Sequence, residues 1–578
     1  MVGILKKMAT GPDPSVGVGC FGLLRIEKLR RYFRERSAPF RVVDGKMAFL
    51  TSKAGRSPLD VAVSPSEFSS YLRAALADEL QYEATDGFAD RHPRESARGR
   101  AAGAIGARTW LYVAFVLCCC VTAPQTSLAI LVLSTSIYFL AVALIRIGLA
   151  IAAQARRAPN ARRPLSDGQL PAVTILAPLF REAHALPGLV AAIGRLDYPP
   201  EKLDVKLLLE QCDAETLREA RRLNLDDRFD IIVVPPSDPQ TKPKACNYGL
   251  ACARGDYIVI YDAEDEPETD QLKIAAEIFE FGEEDLVCLQ ARLNYYNPDE
   301  NWLTRLFTIE YCLWFDHFLP ALDRLGAPAP LGGTSNIFKT EILADVGGWD
   351  PYNVTEDADL GIRLARRGYK TAVFDSTTFE EANCKTGNWL RQRSRWMKGF
   401  LQTWLVHRKA GGGWRDWRTT LSVDFFIGGT VFAALINPLL WAVLAAERAT
   451  GYSPLALFPE PVRAFNLLAL TIGNLSFIAL AAYAPWRRRL WRLGPAALLM
   501  PVYWIMMSAA AWRAMIQLVH RPSFWEKTDH GLSGEAKVRR AAALAACGLE
   551  RETGARHFAG ATGEANRLHR SEVEAPNE

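Results

Sequence analysis

Residues 257–265 read YIVIYDAED, and this stretch decides the fold. Its β-branched and aromatic run ends in Asp262, Glu264 and Asp265, after which Pro267 turns the chain toward a helical stretch at 271–281. A short apolar run bounded by turn residues is the pattern of a buried strand. The same alternation spreads outward through VTILA (173–177), VKLLLE (205–210), FDIIVV (229–234) and VCLQARL (287–293), with helical stretches at 186–196 and 244–254. Strands alternating with helices predict a mainly parallel, Rossmann-like α/β sheet, whose ligands lie beyond the strand C-terminal ends. The informative carboxylates are therefore those just past a strand.

Beyond this domain the composition turns apolar on both sides. Runs at 109–123 and 127–152, separated by Pro124, Gln125 and Thr126, are followed by runs at about 421–446 and 464–484. Each approaches the roughly 20 residues that cross a bilayer, and Arg146 near the end of the second is expected to snorkel outward. Arginines flank these runs in 25–36, at Arg156, Arg157, Arg162 and Arg163, and at Arg487, Arg488, Arg489 and Arg492. The positive-inside rule puts all three segments, and the α/β domain, in the cytoplasm. A fifth run, 493–519, is interrupted by Pro501 and carries Arg513 and Gln517. If it spanned, the basic tail from Lys527 to Arg556 would lie outside, so an interfacial or re-entrant helix is expected. Lys6 and Lys7 lead into a Gly/Pro-broken stretch, which is not the pattern of a cleaved signal.

The expected layout is a small cytosolic N-terminal α/β domain (1–107) of underived role, a membrane hairpin (108–155), the α/β domain (168–410), two spans and an interfacial helix (420–520), a polar segment (521–540) and a mobile tail (541–578). A bacterial-type inner (plasma) membrane location with a cytoplasmic catalytic domain follows. The 578 residues carry 68 Lys+Arg against 64 Asp+Glu, too even a balance for a nucleic-acid binder. Hydrophobic residues at 49% and charged ones at 23% exclude a disordered or collagen-like chain. The 11 cysteines show neither paired metal spacing nor a disulfide ladder, so no zinc site is expected and a reducing compartment fits.

The acids at the end of YIVIYD repel one another unless neutralised, and a hard divalent cation with phosphate oxygens as co-ligands would do that; a solvated acidic turn is the plainer alternative. Lys242, Lys244 and Asn247 in TKPKACNYGL open a helix where a diphosphate could meet a lysine and free N–H groups. Glu210 and Asp213 end another strand and could accept hydrogen bonds from a base or ribose. In GGWDPYNVTEDADLGIRLARRG, Thr355, Glu356 and Asp357 start an amphipathic helix. Asp357 could be an N-cap, or a base held rigidly at a loop-to-helix junction. In GNWLRQRSRWMKGFLQTWLVHR, Trp389, Gln392, Arg395, Trp396 and Phe400 share one helical face, suited either to a sugar acceptor beside a diphosphate or to the bilayer surface.

The strand-end acids, Thr355-Glu356-Asp357 and Gln392-Arg393-Ser394-Arg395-Trp396, in this order between membrane runs, resemble the family 2 inverting glycosyltransferases, among them the membrane-embedded synthases of cellulose, chitin, curdlan, mixed-linkage β-glucan and hyaluronan. The resemblance covers about 110–531. It implies a GT-A fold, Mg²⁺ or Mn²⁺, Asp357 as catalytic base, and Thr355, Glu356, Gln392, Arg393, Arg395 and Trp396 around acceptor and diphosphate, with Glu210, Lys242, Asn247 and Asp262 toward the nucleotide. The family's Asp-x-Asp aligns with Asp262-Ala263-Glu264, with Asp265 one place later, so the second metal acid is either Glu264 or Asp265. RPSFWEKTDHG (521–531) is similar to a cellulose synthase gating loop, through Trp525, Thr528 and His530. No PilZ pattern follows. The implied partners are a UDP-sugar, with UDP-glucose expected, a growing β-linked polysaccharide and membrane lipid, with accessory export or regulatory subunits left open. Two other readings compete: single transfer to a lipid carrier, and a non-catalytic envelope scaffold.

Overall fold

The computed structural model describes residues 24–99, 114–154, 163–410, 417–451 and 458–546, except 44–45, 54–56, 58, 116–117, 120, 224, 329 and 523. Its strands are β1 (Ser37–Val43), β2 (Lys46–Thr51), β3 (Val61–Ala62), β4 (Val173–Leu179), β5 (Leu203–Glu210), β6 (Phe229–Val234), β7 (Tyr257–Ile260), β8 (Glu266–Pro267), β9 (Leu286–Tyr295), β10 (Asn336–Lys339) and β11 (Lys370–Glu380). The eight strands β4–β11 form one sheet in the order β6-β5-β4-β7-β10-β9-β11-β8. The first four pair in parallel, as the strand-helix alternation requires. The second half is mixed: β10 runs antiparallel to β7 and β9, β11 lies parallel to β9, and β8 is antiparallel to β11.

Strand β5 is buried at every position, because helices cover both faces of this half. The close approach of β4 to the chain entering β7 requires Gly255, where a Cβ would stand 2.3 Å from the Thr174 backbone nitrogen.

The N-terminal residues fold as a three-stranded sheet, β1-β2-β3, with helices Leu29–Glu35 and Pro65–Ala75. The second helix starts with a capping box in which Ser64 and Glu67 satisfy each other's backbone N–H. This unit does not stand apart. Phe33, Phe40, Phe68 and Leu72 share one apolar core with Ile232, Cys246, Leu250, Phe338 and Trp349 of the sheet domain.

Among the described residues, four helices are long and apolar enough to cross a membrane: Ile130–Ala152, Trp417–Ala442, Glu460–Arg488 and Trp491–His520. Large apolar side chains such as Ile137, Leu144, Leu467, Leu475, Leu498, Ile505 and Ile516 point outward from them, which only a lipid surround makes favourable on this scale. This is a membrane protein. About half of the run at 109–123 (109–113, 116–117 and 120) lies outside the described residues. The run at 493–519, expected in the interface, belongs to a helix that qualifies as a span by length and composition, since Pro501 falls in the first turn of Met500–His520, where its missing N–H would be unpaired anyway. A membrane-side core of Phe307, Leu313, Trp389, Ala481, Ala497 and Met500 welds the sheet domain to the spans, and Arg488 holds buried Asp316 through two bonds of 2.6 and 2.8 Å. The polar segment after the last span ends in helix Gly534–Ala546, whose Arg539 stacks 4.5 Å over Tyr296; helix thus extends past the expected boundary at 541, and 547–578 lie outside the described residues.

Candidate active site

The strand C-terminal ends open onto a cavity of about 370 Å³. Glu182 follows β4, Glu210 ends β5, Asp262 and Glu264 follow β7, and Glu380 ends β11; all five line it. Opposite them stand Thr355, Glu356 and Asp357, then Gln392, Arg393, Arg395, Trp396 and Phe400 of helix Thr386–Ala410. Trp525, Lys527, Thr528 and His530, from the segment after the last span, complete the wall.

Lys242 sits at the first turn of helix Lys242–Ala251 and reaches across to Asp262, 2.6 Å from Oδ1, and to the Gly333 carbonyl, also 2.6 Å. Burial opposes its charge, but Asp262, Asp357 and Glu356 prevail and raise its pKa. Asp357 is 9% exposed, and its Oδ1 has no hydrogen-bond partner among the described residues. Burial pushes this carboxyl well above the usual range, and Glu356 adds to the effect while Lys242 opposes it. A carboxylate so placed is a stronger base than one in water. Helix Thr386–Ala410 presses against the same junction at Gly399, where a Cβ would meet Thr355 Oγ1 at 2.4 Å. Arg395 makes no hydrogen bond or ion pair to the described residues and lies 4.8 Å over the Trp525 ring.

Glu264 is bound by His530, with Nδ1 2.8 Å from Oε1. Burial raises a carboxyl's pKa, yet His530 holds Glu264 down at about 2. In return, although burial disfavours the imidazolium, Glu264 and Glu182 lift His530 to about 9. Lys527 meets Glu182 at 2.6 Å. Ligand atoms of Glu182, Glu264 and His530 lie within 4.8 Å of one another, a donor set of two carboxylates and an imidazole that could hold one divalent cation once His530 gives up its proton.

The family model "Glycosyl transferase family group 2" matches residues 257–519, the part of the chain from β7 through the last span. Residues 257–519 thus match a family 2 glycosyltransferase domain, and the fold is GT-A. Over 252 residues it is 27% identical to "Probable glycosyltransferase YdaM" of Bacillus subtilis, covering 42% of this chain and 58% of that one. It is 26% identical over 243 residues to "Beta-monoglucosyldiacylglycerol synthase" of Trichormus variabilis, covering 41% and 51%. The chain therefore spans little more than half the length of these curated relatives. Among solved structures, the mannosyltransferase PcManGT of Pyrobaculum calidifontis, in complex with GDP-Man and Mn²⁺, is 20% identical over 68% of this chain and 99% of its own, with a TM-score of 0.49.

Within the glycosyltransferase domain, several residues expected at the site lie elsewhere. Asn247 brackets buried Trp349, donating to its carbonyl at 2.8 Å and accepting from its N–H at 2.9 Å, and does not line the cavity. Asp265 turns inward, accepting the Asp262 N–H at 2.7 Å and the Thr334 hydroxyl, so Glu264 is the acid that faces the cavity. Lys244 reaches Glu210 at 2.8 Å rather than open space. Asp213 caps helix Ala214–Arg222 by accepting from the Thr216 N–H. Arg393 touches the cavity wall, but its guanidinium is committed to Glu310, with Nη1 2.9 Å from Oε1, and is packed 4.4 Å from both the Phe307 and Trp396 rings. Trp389 is fully buried beside Tyr503, away from the acceptor face.

Three residues the sequence reading left out belong to the wall. Glu182 lies three residues past β4, so the strand-end rule that found Glu210 reaches it too. Glu380 escaped because β11 was not recognised, and Arg146 because it was expected to point outward. The structure turns Arg146 into the bundle, 4.6 Å over Phe477, where it lines this cavity and a second one of about 210 Å³ between the spans.

Proposed function

We propose that this chain is an inverting hexosyltransferase that takes sugar from a UDP-sugar, UDP-glucose first among them, and extends a β-linked polysaccharide at the cytoplasmic face of a membrane, the product leaving among its own spans. The observation that carries the reading is the continuity of the cavity. Asp357 lines one end, while Tyr138, Val142, Arg146, Phe477 and Met507 of three different spans line the other. A soluble transferase that adds one sugar per acceptor has no use for that extension.

In this reading Lys242 and Arg395 receive the diphosphate, because both are cations facing the cavity beside the strand ends. Asp357 accepts the acceptor hydroxyl's proton at its unpartnered Oδ1 as that oxygen attacks the anomeric carbon opposite the departing diphosphate. Trp396 and Gln392 orient the acceptor; the Gln392 amide is itself fixed by the Asn383 amide N–H at 2.9 Å. Glu264, His530 (once neutral) and Glu182, with Asp262 beside them, would hold the divalent cation. When bound, Mg²⁺ or Mn²⁺ supplies positive charge that offsets the developing charge on the leaving diphosphate.

Transfer to a lipid is the second reading. It is favoured by Arg146, a guanidinium without an ion-pair partner among the described residues in an otherwise largely apolar passage, and by the name of the Trichormus relative. One experiment separates the two. Inverted membrane vesicles are supplied with Mg²⁺ or Mn²⁺ and radiolabelled UDP-glucose, UDP-N-acetylglucosamine or UDP-glucuronate in turn, and label is scored in ethanol-insoluble and organic phases for wild type and Asp357→Asn. Insoluble label that the substitution abolishes supports polymerisation; organic-phase label moves the assignment to lipid glycosylation; no label in either, with UDP binding lost, favours the scaffold.

A further inference from the structure

The N-terminal unit touches the loop that carries the base. Between helices Thr340–Asp345 and Glu356–Arg366 the chain has no regular structure, so the polar groups of 347–355 depend on partners elsewhere for a single geometry. Besides the Asn247 bracket on Trp349 described above, three sets come from the glycosyltransferase domain itself. Thr241, immediately before Lys242, donates to the Pro351 carbonyl at 3.0 Å. The Gln402 side chain accepts from the Val354 N–H at 3.2 Å, and the Asn353 amide donates to Thr403 Oγ1 at 2.9 Å. Arg363 donates to the carbonyls of Val346 and Gly348.

The fourth set comes from residues 86–98. Asp350 is fully buried, and its carboxylate accepts the Ser96 hydroxyl at 3.0 Å and the Ala97 N–H at 2.6 Å. The Tyr352 hydroxyl donates to Asp86 at 2.7 Å, and Arg98 fixes that same carboxylate at 2.9 Å while lying 5.8 Å over the Tyr352 ring. Arg367, past the far end of the base helix, is held by Glu95 at 2.9 Å, and Arg363 packs 4.5 Å over Phe88. Both ends of helix Glu356–Arg366 are thus gripped from one segment of the N-terminal unit.

We infer that residues 86–98 position the catalytic base, with Ser96, Asp350 and Tyr352 as positioning residues that act through the loop leading to Asp357. This rests on Asp357 being the base. Buried hydrogen bonds to a carboxylate are directional, and removing their donors lets the loop settle elsewhere without opening the apolar core that joins the two units. In the proposed reading the strand ends, Lys242 and Arg395 would hold the donor's cation and diphosphate, so a shift confined to 350–357 misplaces the proton acceptor and largely spares donor binding. Misplacing a reacting group by about 1 Å costs on the order of a hundredfold in rate.

The test uses full-length protein in vesicles or nanodiscs, with Ser96→Ala, Tyr352→Phe, their combination, and Ser96→Thr as the variant that keeps the hydroxyl. The double variant is expected to lose about ten- to a hundredfold in kcat, with KM for the sugar nucleotide and UDP affinity by calorimetry unchanged and the thermal midpoint lowered by only about a few degrees, and Ser96→Thr to regain most of the Ser96→Ala loss. Unchanged kcat in the double variant overturns the inference, as does a fall in kcat matched by equal losses of UDP affinity and thermal midpoint. Asp357→Asn run in parallel separates the two layers: full activity there overturns the base assignment and this inference with it, whereas an inactive Asp357→Asn beside a fully active double variant overturns this inference alone.

Discussion

Raising the pH should undock the segment after the last span, and the structure sets both window and size. His530, 15% exposed, is lifted from an ordinary value near 6.5 to about 9 by its bond to Glu264. A group whose pKa is raised on docking contributes stability that is complete below about 6.5 and disappears as pH climbs through about 9. The shift of about 2.5 units corresponds to about 3 kcal/mol, or roughly two orders of magnitude in the docking equilibrium. The matching depression of Glu264 describes the same contact and is counted once. Lys398 acts in the opposite sense: it holds the Arg521 carbonyl at 3.4 Å, burial lowers its pKa to about 8, and it favours docking as pH rises above that value. The informative quantity is therefore the difference between wild type and His530→Gln, which keep Lys398 in common. Hydrogen exchange without added divalent cation reads it at the amides of Asp529, bonded to Asn388 at 3.0 Å, and of Gly531 and Ser533, both bonded to Glu381. After correction for intrinsic exchange, wild-type protection should fall by about two orders of magnitude more than the variant's between pH 6.5 and 9.5. Parallel curves for the two proteins would refute the reasoning.

Lys242→Met leaves the half-buried Asp262 carboxylate unpaired in the cavity and should lower stability by about 1–3 kcal/mol, with loss of UDP binding; unfolding in detergent and calorimetry check both. Trp389→Ala should cost about 3–5 kcal/mol by opening a void against the last span while leaving UDP affinity intact, which separates packing from acceptor binding. Arg146→Gln should cut product label at least tenfold with UDP affinity unchanged, because it lines the passage and not the strand ends; equal label from both proteins would remove Arg146 from the product path.

Much of the site was legible because strand ends are local. Glu210 and Asp262 follow directly from short apolar runs, Glu264 as one of two candidates, and Thr355, Glu356 and Asp357 from a loop-to-helix junction. The mixed half of the sheet was not legible. Strand β10 is only four residues, and its partners β7 and β9 are chosen by long-range pairing that leaves no period in the chain. Missing β11 then concealed Glu380. The choice between Glu264 and Asp265 escaped for a similar reason: the turn folds Asp265 back onto the Asp262 N–H and the Thr334 hydroxyl, and Thr334 lies far along the chain.

Helical phase explains the partial success on helix Thr386–Ala410. Trp389 and Trp396 differ by seven residues, so they point in nearly the same direction, and the spacing rule placed them together. They also differ by about 10 Å along the axis. Over that distance the helix passes from the cavity, lined by Trp396, to the last span, where Trp389 donates to the Tyr503 hydroxyl at 3.2 Å. Periodicity specifies the angle and says nothing of what lies opposite at each height. The same limit governs the segment after the last span. Its Trp525, Thr528 and His530 stood out by composition, but a bond from His530 to Glu264 depends on the whole bundle returning the chain to β7. The pH titration of the metal-free protein therefore measures a contact that only the completed fold creates, between His530 and Glu264.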